Sequence, residues 1–227
     1  LAHPCQDEPV RSIRVLVILA ALLSVLGGLK WAAGVPASNA DPCTDIHVVF
    51  ARGTSGSPGL SRVGQSFVDT LRTQIGNRTM SVYAVDYPGS LDFGPSTTAG
   101  AQDALAHIEQ TVQACPSTKI VLGGYSQGAD VVGLLTAPTG TAWGDPSPLP
   151  PDVADHVAAV VLFGNPSRKF GGGPLNVLSP AFGPKTIDLC VPGDLVCSTD
   201  GVSLDAHGQY IASGATGQAA AFAASRL

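Results

Sequence analysis

The chain has 227 residues, 44% hydrophobic and 13% charged, with a formal net charge of −5. That length supports one sizeable hydrophobic core and argues against two. The acidic balance and the lack of any basic cluster exclude a nucleic-acid binder, and 27 glycines with 18 prolines describe a loop-rich globular protein without a charge-covered surface.

Residues 1–40 differ in character from the rest. Arg11 and Arg14 precede a nearly uncharged apolar run, 15–29, and Ser38-Asn39-Ala40 has the small residues of a cleavage site. This is the layout of a secretory signal peptide, with an uncleaved N-terminal anchor as its alternative. The run is short for a membrane-spanning helix. The expected products are a leader, 1–40, and a secreted or cell-wall-associated domain, 41–227.

Within that domain, 46–51 (Ile-His-Val-Val-Phe-Ala) reads as a buried strand. Val63, Phe67, Leu71 and Ile75 recur at helical spacing and stop at Gly76. A second strand is expected over 80–85. A long helix is expected over 97–115, with Ala101, Leu105, Ile108, Val112 and Cys115 on one face and Pro116 as its stop. A third strand spans 119–122 and a helix 129–135, followed by a Pro/Gly/Asp-rich loop over 138–151. The β-branched run 157–163 is the fourth strand, 164–184 reads as irregular, 185–189 is the fifth strand, and the alanine-rich tail, 209–227, reads as helix. Strands alternating with helices imply a parallel sheet covered on both faces.

Gly124-Tyr125-Ser126-Gln127-Gly128 falls between the third strand and the helix after it. A strand, a sharp turn and a helix are what a nucleophile elbow requires, and Ser126 is placed beyond the carboxyl ends of the strands, where parallel sheets gather reactive groups. A serine needs a base and the base needs an orienting acid. His47 falls in a strand, His107 in a long helix and His156 at the amino end of the fourth strand. Only His207 follows the last strand, so it is the candidate base. Asp194 lies between serine and histidine in chain order; Asp188, Asp200 and Asp205 are its rivals, Asp200 foremost. The oxyanion donors are the amide of Gln127 and, from the loop after the first strand, the amide and hydroxyl of Thr54. Apolar loop residues (Leu60, Leu91, Phe93, Leu178, Phe182, Leu195, Val196) are candidates for holding an acyl chain or for core.

Four cysteines fall after residue 40: Cys43, Cys115, Cys190 and Cys197. An even count in an exported chain suggests disulfides. Of three possible pairings, proximity favours Cys190–Cys197, which leaves Cys43–Cys115. A zinc site lacks C-x-x-C pairs and nearby histidines.

Together, Ala51-Arg52-Gly53-Thr54, the serine pentapeptide, Cys190-Val191-Pro192-Gly193-Asp194-Leu195-Val196-Cys197 and Ala206-His207-Gly208-Gln209-Tyr210 resemble the cutinase family of secreted serine esterases, in its bacterial, mycobacterial-type branch. The resemblance spans residues 43 to about 225. It implies a small α/β-hydrolase, a three-layer sandwich around a five-stranded parallel sheet with no lid domain. It also implies a triad of Ser126, Asp194 and His207 with Thr54 and Gln127 as the oxyanion hole. Gly208 departs from the family, which often has a larger apolar residue there, and this bears on how firmly His207 is held. The expected activity is hydrolysis of short- to medium-chain carboxylic esters, with lipid or polyester surfaces as candidate substrates. No metal and no organic cofactor is needed, and a monomer is expected. The alternatives are a phospholipase A, lipase or thioesterase on longer acyl chains, a serine peptidase, and a secreted binding protein or antigen with a decayed site.

Overall fold

The computed structural model describes residues 43–137 and 141–227. The expected leader, 1–40, lies outside them. Five strands form one parallel sheet: β1 (Ile46–Ala51), β2 (Met80–Ala84), β3 (Lys119–Tyr125), β4 (Val157–Phe163) and β5 (Thr186–Leu189), in the spatial order β2-β1-β3-β4-β5. The long helices are α1 (Ser61–Gln74), α2 (Phe93–Ala114), α3 (Gln127–Thr136) and α8 (Ala215–Ala224). Four one-turn helices lie between them: α4 (Pro151–Ala154), α5 (Ser167–Phe170), α6 (Leu175–Leu178) and α7 (Leu204–His207).

The strands alternate their side chains between two cores. Val48, Phe50, Val121, Val161 and Phe163 face α1 and α8, whereas Val49, Ala51, Leu122, Val160 and Leu162 face α2 and α3. The three central strands, β1, β3 and β4, are therefore buried on both faces, which explains their near-continuous apolar runs, while the edge strands β2 and β5 are mostly half-buried. Against α1, the rings of Phe50, Phe67 and Phe163 meet at centroid separations of 6.1–6.4 Å, and Tyr210 meets Phe163 edge-on at 5.9 Å. On α8 the buried positions are small (Ala215, Thr216, Ala219, Ala220, Ala223), so this helix lies close against its neighbours.

Several boundaries differ from expectation. α2 begins four residues earlier than expected because Pro95 sits in its first turn, where a missing N–H costs nothing. β3 runs three residues further, through Gly123 and Gly124, which look like a turn in sequence but pair with Phe50 and Ala51 of β1. The stretch 164–184 carries α5 and α6 instead of being wholly irregular, and the tail becomes helical only at Ala215.

Cys43 bonds to Cys115 and Cys190 to Cys197. Among the described residues, no helix is long and apolar enough to cross a membrane. The strand order changes direction at β1, between β2 and β3. That leaves a crevice at the carboxyl ends of β1 and β3, the place where open parallel sheets bind ligands.

Candidate active site

Ser126 sits in that crevice, at the turn from β3 into α3, with φ 57° and ψ −123°. This left-handed backbone is held from both sides. The Ser126 amide donates to the Phe163 carbonyl at 2.8 Å, and its own carbonyl accepts from Ala129. Gly128 is needed for the close approach of α3 to β1: a Cβ there would run into the backbone carbonyls of Ala51 and Arg52. Ser126 remains partly exposed.

The serine Oγ lies 2.9 Å from His207 Nε2, and His207 Nδ1 lies 2.8 Å from Asp194 Oδ2. His207 ends α7, whose N-cap Ser203 accepts from the Ala206 amide. Asp194 has no solvent exposure. Its Oδ2 also accepts from the Tyr210 hydroxyl at 2.6 Å, and its Oδ1 accepts from the Val196 amide at 2.7 Å. Burial by itself pushes the Asp194 carboxyl up. The hydrogen bonds from His207, Tyr210 and Val196 together outweigh burial and hold it below the usual carboxylate range. The acid is thus kept ionised, which fixes the imidazole with its proton on Nδ1 and its lone pair toward the serine.

The surrounding loops are tied down through backbone groups. Lys169 Nζ donates to the carbonyls of Leu195 and Gly201, closing the Cys190–Cys197 loop from outside. Tyr125 stacks on the His207 ring at 5.0 Å, and its hydroxyl donates to the His207 carbonyl at 2.8 Å. That contact bears on the Gly208 departure: the loop is anchored one residue earlier, and Gly208 itself has an ordinary helical φ of −86°. Gly164, at φ 62°, makes room for the His207 ring, since a Cβ there would fall 2.8 Å from His207 Cε1.

The amide of Gln127 heads α3, where first-turn N–H groups have no intrahelical partner. On the facing loop, buried Arg52 donates to the carbonyls of Gly56, Tyr87 and Pro88, and Tyr87 donates its hydroxyl to the Arg52 carbonyl. Between these ties lies Thr54, whose amide and hydroxyl have no partner among the described residues. A Cβ on the adjacent Gly53 would lie 3.3 Å from Ser126 Cβ, so the loop abuts the serine.

The rival acids stand apart. Asp188 is buried against Asn165, Leu175 and Arg168, while Asp200 and Asp205 are exposed. Among the apolar candidates, Phe182 belongs to the core, Leu178 packs against it, and Leu91 is 74% exposed. One group of three potential metal ligands occurs among the described residues: Cys190, Asp194 and Cys197. Its sulfurs are spent on a disulfide and its carboxylate on the histidine.

A family model described as Cutinase matches residues 42–227. The chain belongs to the cutinase family. Among similar family proteins, Carboxylesterase Culp1 of Mycobacterium tuberculosis is 49% identical over 225 residues, covering 96% of this chain and 97% of the relative. Phospholipase Culp4 of the same organism is 47% identical over 214 residues, covering 94% and 92%. A solved structure, Trichoderma reesei cutinase in complex with a phosphonate inhibitor, is 34% identical with a TM-score of 0.63, covering 81% of this chain and 76% of that one. The cutinase fold seen in sequence motifs is therefore matched along the whole described domain.

Sequence reasoning missed four residues that shape the site. Tyr210 was quoted only as part of a motif, and Tyr125, Gly164 and Arg52 had no assigned part. Only Gly164 carried a signal: a glycine directly after a β-branched strand marks a close approach.

Proposed function

We propose that this cutinase-family chain is secreted and hydrolyses short- to medium-chain carboxylic esters through an acyl-enzyme, with Ser126 as nucleophile, His207 as general base and then acid, and Asp194 as its orienting partner. The chain is a serine carboxylic ester hydrolase. In the first step Ser126 Oγ attacks the ester carbonyl as its proton passes to His207 Nε2. The amide of Gln127 and the donors of Thr54 receive the oxyanion. His207 then protonates the leaving alcohol, and water activated by the same imidazole releases the acid. Asp194 stays ionised throughout and stabilises the imidazolium. The observation that carries this reading is the unbroken hydrogen-bond chain from Ser126 through His207 to the buried Asp194.

Two disulfides support an oxidising destination, and the pattern of residues 1–40 supports cleavage near Ala40 during export. N-terminal sequencing of the exported protein tests that boundary. A second reading, longer acyl chains or phospholipid, draws support from the exposed side chains of Leu91, next to Ser90 whose carbonyl accepts from Gln127, and of Val202 and Leu204, just before and at the start of α7, which carries His207.

A series of p-nitrophenyl esters from acetyl to palmitoyl, turned over by the wild type and Ser126→Ala, tests both. Turnover peaking at short or medium chains, with a loss of several orders of magnitude in the variant, is expected. A palmitoyl optimum replaces the first reading with the second. Activity surviving Ser126→Ala removes the nucleophile assignment.

A further inference from the structure

The pole of the sheet opposite Ser126 carries a second cluster of titratable side chains. His47 of β1 and His107 of α2 bring their Nε2 atoms to 2.8 Å. Both line a cavity of about 530 Å³, together with Thr44, Ser81 and Gln110. The protons in this cluster can be counted. Thr44 has one hydroxyl proton and donates it to the Ile46 carbonyl at 2.9 Å. Ser81 must then donate to Thr44 Oγ1 at 2.7 Å. With its proton spent, Ser81 Oγ accepts from His47 Nδ1–H at 2.7 Å. His47 is therefore left with a bare lone pair on Nε2, aimed at His107. Tyr83 lies flat on the His107 ring at 3.5 Å and fixes its plane. His107 Nδ1 has no partner among the described residues.

We propose that His47 and His107 bind one divalent ion that favours imidazole, zinc being the type, between their two Nε2 atoms, with water and the cavity's polar groups completing the shell. Imidazole nitrogen suits such ions. Zinc–nitrogen bonds of about 2.0–2.1 Å in a tetrahedral shell require the two nitrogens to stand roughly 3.3 Å apart. The nitrogens need part by only about half an ångström, and the two rings, which face each other nearly end-on with centroids 5.0 Å apart, must also turn so that both lone pairs converge on the ion; a partly exposed His107 on a helix surface allows both. The proton on His107 Nε2 moves to its free Nδ1, so the imidazole stays neutral. The Thr44–Ser81–His47 relay is the outer hydrogen-bond support that metal-binding histidines use to fix tautomer and orientation. The bound ion ties β1 to α2 beside the Cys43–Cys115 bond and acts on stability; ester hydrolysis takes place at the other pole.

Calorimetric titration of the untagged full chain with zinc sulfate at neutral pH tests this, alongside His107→Ala, His107→Gln, Ser81→Ala and Ser126→Ala. One ion per chain is expected in the wild type and in Ser126→Ala, with a raised melting temperature. Binding should weaken at least ten-fold in whichever His107 variant folds and about ten-fold in Ser81→Ala, on the scale of lost ligands and outer-shell partners. Ester turnover should be unchanged in the His107 variant. No saturable binding up to millimolar zinc, wild-type binding without His107, or loss of the ion in Ser126→Ala, which would put it at the catalytic histidine, each overturns the proposal.

Discussion

Tyr210 shares Oδ2 of Asp194 with His207, so one carboxylate oxygen serves both the base and a buried phenol. A hydrogen bond to a charged acceptor is worth about 1.5–3 kcal/mol. Tyr210→Phe keeps the ring packed on Phe163 but removes that bond, and should lower kcat roughly ten-fold with KM little changed. The sign of the accompanying pH effect is fixed. Asp194 is held below its usual range, so its contribution to stability is present above the unfolded carboxyl value and is lost as pH falls through the native one. Without Tyr210 the carboxyl protonates at higher pH, and the acid limb of the stability profile moves up; a melting curve against pH whose acid limb stays in place refutes this role. At this scale the sequence was legible where chemistry dictates residue type. Ser126, Asp194 and His207 could be nominated from chain order, and they sit within hydrogen-bond reach of one another. Tyr210 was not legible as a partner of Asp194, because nothing in local spacing tells a phenol that fills core from one that also donates into a site.

At the scale of elements, apolar runs located all five strands and helical periodicity located α1 and α2, each buried on one face; α3, buried along its whole length, and the alanine-rich α8 were read from context and composition. It failed where glycine and proline carry tertiary meaning. Gly123 and Gly124 continue β3, and Gly123 has no side chain because Phe50 occupies that space. Pro95 lies inside α2 although it reads as a boundary. The one-turn α7 that carries His207 was too short for any period to show. Its C-cap, Gly208, has an ordinary helical backbone, and a Cβ there would meet only the Asp205 carbonyl at 3.4 Å. Gly208→Ala should therefore stabilise the protein by about 0.4–1 kcal/mol by restricting the unfolded chain, with activity retained. Urea unfolding measures it; a lower midpoint would mean that the loop needs the glycine after all.

Across the whole molecule, two further buried groups shape the acid response. Burial, with His107 adding to it, holds His47 neutral down to about 4, so its contribution is complete above the unfolded histidine value and erodes as pH falls from roughly 6.5 toward 4. Asp130 acts with the opposite sign. Burial raises its carboxyl to about 6 despite the amides of Ala142 and Trp143, so its contribution is present at low pH and is lost as pH rises through that value. The two windows overlap between about 4 and 6 and flatten one another. Asp130→Asn removes the opposing arm. Its melting temperature should fall more steeply than that of the wild type between those limits, and parallel curves would dismiss the coupling. The disulfide-bonded character of the domain was legible from cysteine parity. The His47–His107 contact was not, because it joins residues 60 positions apart, and periodicity reports which face a residue is on and never which residue it meets.

The left-handed backbone of Ser126 has one more implication. A non-glycine residue held at φ 57° and ψ −123° carries a conformational penalty of about 1–3 kcal/mol, borne by the rest of the fold. The proposed nucleophile is therefore also a point of built-in instability. Ser126→Gly should be inactive yet melt higher than both the wild type and Ser126→Ala, and differential scanning calorimetry of the three would show it. In this molecule a search for thermostability left blind to activity would be drawn toward replacing the proposed nucleophile itself.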